Sequence, residues 1–181
     1  MDANRLYSDM ARFCKNALNR TITKSARTQR QLVREKYALS NKTLRRYTKV
    51  RRARTDVLEA VIRNATYGLS LDNFKRLEKR GGVLVKLSKS RHIFIQGAFL
   101  AAKRGEHKVR NRGFLYTRRA QSFEGLRVKS GTLRSFEHQK APKGAQVYRY
   151  ATESFSKIAK SVNARLLPEA SRIFAQELAR E

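Results

Sequence analysis

Apolar residues recur at helical spacing from the start of the chain. Leu6, Met10, Phe13 and Ala17 form a stripe that Tyr7, Cys14 and Leu18 widen. This pattern predicts an amphipathic helix over residues 2–20, loosened at Thr21-Ile22-Thr23. A second helix is expected around Leu32 and Val33, ending at Tyr37, and Ser40 is placed to cap a short third one carrying Leu44 and Tyr47. The period then shortens. Val57 to Arg63 partly alternates and reads as a strand, as do Val83 to Leu87 and His92 to Ile95. Asp72 is expected to cap a helical turn bearing Phe74 and Leu77, closed by Gly81-Gly82. Gly97 marks a bulge before Ala98 to Ala101, and His107 to Arg110 offers a further strand. The short loops between these strands imply antiparallel pairing. Residues 111–146, punctuated by Gly113, Gly125, Gly131, Pro142 and Gly144, read mostly as loop, and Val147 to Tyr150 as an edge strand. A last apolar stripe (Phe155, Ile158, Ala159, Val162, Leu166) predicts a helix, and Pro168 suits the first turn of another, which Ile173, Phe174 and Leu178 continue.

The fold class expected from this pattern is α+β: N-terminal basic helices, a central antiparallel sheet of about four to five strands and a C-terminal helix pair. One domain is expected, in three stretches: a basic helical arm over 1–56, a sheet region over 57–150 with a long basic loop at 112–146, and packing helices over 151–181. Phe155, Ile158, Val162, Ile173, Phe174 and Leu178 are the packing or interface candidates.

Charge adds the functional signal. The 181 residues carry 42 Lys and Arg against 14 Asp and Glu, a formal net charge of +28. Such a chain repels itself unless a polyanion or acidic partner surfaces offset the charge. The excess is uneven. Residues 1–56 hold 16 basic and 4 acidic residues, whereas 151–181 hold 5 and 4. From Arg20 through Arg54 there are thirteen basic residues and one acid, Glu35. Guanidinium and ammonium groups in this density bind phosphates through counterion release. The candidates for DNA or acidic-partner binding are Arg27, Arg30, Arg34, Lys42, Arg45, Arg46, Lys49, Arg51, Arg52 and Arg54.

Other chemistry finds little support. Leu32 to Tyr47 has the rough spacing of a helix-turn-helix, with Lys42, Arg45 and Arg46 toward a major groove. Arg34, however, stands where a small residue normally lets the helices approach, and no Gly marks the turn. His92, His107 and His138 are scattered, so no metal set is expected. Glu59, Glu78 and Glu106 suit ion pairs better than acid–base catalysis. No catalytic residue, cofactor or small-molecule ligand is expected. The single cysteine, Cys14, excludes an internal disulfide and reads as a small buried hydrophobe. No apolar run reaches the length of a membrane span, and Met1 to Met10, with Asp2 and Asp9, lacks the character of a signal peptide.

The whole chain resembles the minor tail protein Z family of tailed bacteriophages, the tail completion proteins. The similarity rests on an ordered series. It begins with an N-terminal helix into Ala17-Leu18-Asn19-Arg20-Thr21 and the stretch Thr28 to Glu35. The arginine-rich run Lys49 to Arg54 follows, then Gly81-Gly82-Val83-Leu84-Val85 and Ile95-Gln96-Gly97-Ala98-Phe99-Leu100, and finally Leu167-Pro168-Glu169 opening a last helix. Residues 112–146 match no pattern. The resemblance implies a non-enzymatic virion protein of the neck, made in the host cytoplasm, at the head-proximal end of the tail. It implies tail-terminator and head-closure or connector partners, a homo-oligomeric ring, six-fold by the symmetry of that setting, and sequence-independent contact with DNA. The alternatives are a helix-turn-helix regulator and a ribosomal or RNA-packaging basic protein.

Overall fold

A computed structural model describes residues 3–101, 113–133 and 144–181. Among them the chain is α+β and divides into two compact units. The strand expected at His107 to Arg110 lies outside the described residues.

The first unit joins three stretches, 1–35, 41–66 and 156–181. Its main element is α1 (Ala3–Lys36), one continuous helix of 34 residues where two separate helices were expected. The interruption at Thr21-Ile22-Thr23 does not occur. Thr21 and Thr23 each donate a hydroxyl hydrogen bond of 2.8 Å to the carbonyls of Ala17 and Asn19 one turn back. That bond satisfies the polar group within the helix, so these β-branched residues continue it. Ala17, Ala26, Leu32 and Val33 are buried along α1, whereas Leu6 and Met10, expected to pack, are at least half exposed. Cys14 is only half-buried.

The helix α2 (Asn41–Tyr47) runs directly into β1 (Thr48–Arg51), which pairs antiparallel with β2 (Val61–Asn64) in register from Thr48↔Asn64 to Arg51↔Val61. The strand expected from Val57 is thus shorter and later. The C-terminal pair is α3 (Phe155–Lys160) and α4 (Asn163–Leu178). Pro168 does not open α4 but lies inside it, five residues past its start.

The second unit holds residues 36–40 and 67–155. After β3 (Gly68–Ser70), Leu71–Asn73 forms a single 3-10 turn. Ser70, not Asp72, caps it, by accepting from the Asp72 N–H. The expected helical turn through Leu77 is instead β4 (Lys75–Lys79). With β5 (Gly82–Lys86) and β6 (His92–Gln96) it makes a three-stranded meander. Gly82 is required there, because a Cβ would stand 2.3 Å from the Ile95 carbonyl oxygen. The strand β7 (Phe99–Ala101) pairs with β8 (Phe114–Tyr116), and β10 (Gln146–Ser154) lies between β3 and β9 (Leu126–Thr132).

Two expectations therefore change. Residues 111–146 contain two strands, and the predicted edge strand is the middle one of its sheet. Nearly every residue of β9 is exposed, so no apolar alternation announced it. It is held by seven paired positions against β10. All described pairings are antiparallel, but the ten strands are shared among four small sheets. Phe99, Ala101, Tyr116, Leu133 and Val147 form a core in this unit. Asp72 ties its turn to three further elements, accepting from the Leu115 N–H of β8 at 2.7 Å and pairing with Arg76 of β4 and Arg149 of β10.

Candidate polyanion interface

In the first unit Arg27, Arg30 and Arg34 stand at i, i+3 and i+7 of α1 and so share one helix face. Across from them α2 presents Asn41 and Arg45, one turn apart. Together with Thr23 and Gln31 these residues line a cleft of about 600 Å³. Leu44, wholly buried beside Arg45, anchors α2. None of the four arginines is ion-paired among the described residues. Burial lowers the pKa of the half-buried Arg30, and the neighbouring charges of Arg45 and Arg27 lower it further. The cleft thus gathers like charges at a cost that no ion pair among the described residues offsets.

A second group follows β1. Asn19 of α1 clamps the backbone of Ala53 from both sides, accepting from its N–H at 2.8 Å and donating to its carbonyl at 3.0 Å. This holds Arg52 and Arg54 next to α1. Arg52 belongs to two shallow clefts, one with Arg51 and Arg54, the other with Asn19, Arg20, Thr23 and Lys24. Thr23 lines the second of these and the α1–α2 cleft, and Arg52 the first two, so the three are neighbours.

The ten candidate cations have different fates. Arg27, Arg30, Arg34 and Arg45 converge. Arg52 and Arg54 extend the same path, and Arg51 is spent on Glu59. Lys42, Arg46 and Lys49 are exposed but line none of these clefts. Arg20 and Lys24 lie on the path but are taken by acids from the C-terminal segment. Lys24 donates to Glu177, and Arg20 pairs with Glu181 at 2.7 Å. Sequence reasoning missed the lining residues Thr23, Gln31 and Asn41 and the clamp residue Asn19. The helical spacing of Thr23 and Gln31 with Arg27 was an available signal.

Among the packing candidates, Phe155, Ile158, Val162 and Ile173 are buried, Phe174 is half-buried and Leu178 is 43% exposed. Phe174 lines an apolar groove with Leu18, Ile22, Val61, Ile62 and Leu166. His92 is exposed, while His107 and His138 lie outside the described residues. Among the described residues no three His, Cys, Asp or Glu side chains converge as metal ligands, and no helix is long and apolar enough to cross a membrane. No known protein family, no curated protein and no solved structure matches the chain.

Proposed function

We propose that the chain is a non-enzymatic structural protein of a tailed-bacteriophage virion. In this reading it is a tail completion protein in the neck, working as a ring that joins tail to head and surrounds or positions DNA. The observation that carries the reading is the gathering of arginines within the first unit. Arginines without an ion pair among the described residues gather on α1, α2 and just after β1, while Glu169, Glu177 and Glu181 of the C-terminal segment are all ion-paired. That leaves one region suited to a polyanion and another suited to protein packing. The sequence resemblance to the minor tail protein Z family supplies the setting. Its partners would be tail-terminator and head-closure or connector proteins, and the ring would be a hexamer. A closed ring uses one heterologous contact repeated around the axis, so two different surfaces of each copy must meet. An image of purified virions tests this. The protein is expected as a symmetric layer at the head–tail junction, and its absence from purified particles would refute the assignment.

A further inference from the structure

The three neighbouring clefts of the first unit have a direction as well as a charge. From Arg34 to Arg20 they follow α1 for fourteen residues, about 21 Å at the helical rise. Arginines without an ion pair among the described residues occupy both ends of the path. The α1–α2 cleft offers Arg27, Arg30, Arg34 and Arg45 at one end, and the clamped segment after β1 offers Arg52 and Arg54 at the other. In the middle the cations are neutralised by Glu177 and Glu181. Thr23 and Asn19 remain there as polar, uncharged lining.

We infer that this path is a seat for the sugar–phosphate backbone of one nucleic-acid strand, gripped at two points by these six arginines. The inference rests on the polyanion part of the proposed function and not on the ring. Four guanidiniums held together without a carboxylate fit a ligand that brings closely spaced negative charge. Guanidinium forks at i, i+3 and i+7 meet successive phosphate oxygens with paired N–H donors. No base-reading group is required, so binding is independent of sequence. Arg51 is excluded by its pair with Glu59, and Lys42, Arg46 and Lys49 contribute only to the general field.

The test uses the full chain and a 20-base-pair duplex of random sequence, titrated by fluorescence anisotropy between 50 and 300 mM NaCl. Six phosphate contacts give a slope of log affinity against log salt of about −5. Replacing Arg30→Gln together with Arg45→Gln is expected to flatten the slope by about 2 and to weaken binding at 50 mM roughly tenfold. The pair Arg30→Lys with Arg45→Lys keeps both charges, so it should retain the slope while losing affinity with the forked contacts. Lys75→Gln with Lys79→Gln, exposed in β4, removes the same charge elsewhere and should leave the slope unchanged. Circular dichroism confirms that each variant is folded. Equal losses from the cleft and β4 pairs overturn the track while leaving general polyanion binding in place. No binding of the unaltered protein at 50 mM overturns both the track and the polyanion part of the reading.

Discussion

Glu177 is 1% exposed, yet its carboxyl is held below the ordinary carboxylate range. The hydrogen bond from Lys24 is the largest cause, and the charges of Lys24, Arg180 and Arg20 add to it against the penalty of burial. Because the folded value is depressed, the stabilisation is fully present above the unfolded value, about 4.3. It is lost as pH falls through the lower folded value. Thermal unfolding followed by circular dichroism is therefore expected to hold steady from pH 7 to about 5 and to drop steeply below about 4.3. In Glu177→Gln the protein should be less stable at pH 7, and the acid drop should be shallower. Superimposable pH profiles would show that the carboxylate contributes nothing. A buried acid serving three cations was not legible in the sequence, where Glu177 lies more than 150 residues from Lys24.

At the scale of elements, α4 carries a visible conflict. Pro168 lies inside it and cannot supply an N–H to the carbonyl of Ala164. Its packing overrides this, with Leu166 and Ile173 buried on either side of the proline. Pro168→Ala restores the missing hydrogen bond and is expected to raise stability by about 1–3 kcal/mol, measured by urea unfolding. A decrease would show that α4 depends on the proline's geometry.

The same contrast between local signal and tertiary contact marks what the sequence revealed. The strands β5 and β6 and the helical regions were legible where apolar periodicity was strong, as in Val83 to Leu87, whereas β4 was read as a helical turn. Exposed β9 was not, because its partner β10 rather than its own pattern holds it. In the candidate site, Arg27, Arg30 and Arg34 were legible as cations on one helical stretch. The approach of Arg45, the loss of Arg51 to Glu59 and the clamp of Asn19 on Ala53 depend on contacts that the pattern does not encode.

For the whole molecule, a net charge of +28 makes the folded state work against its own field. Simple salt should therefore stabilise it. Between 10 and 300 mM NaCl the screening length falls from about 30 Å to below 10 Å. The melting temperature is expected to rise across that range, as measured by calorimetry in a monovalent buffer. A fall would mean that the ion pairs at Glu177, Asp72 and Glu59 outweigh the repulsion.

The first unit's assembly from three separated stretches also has a consequence in time. A growing chain emerges from its N-terminus, so the second unit is complete once Phe155 has been made. The first must wait for the segment after it. At about 5–20 residues per second, the interval between Thr66 and Ser156 lasts roughly 5–20 s. During it Arg20 and Lys24 are already out, while Glu177 and Glu181 have yet to be synthesised. The nascent arm is therefore more cationic than its finished form, and α4 with the residues just after it, made well over a hundred residues later, withdraws those two charges.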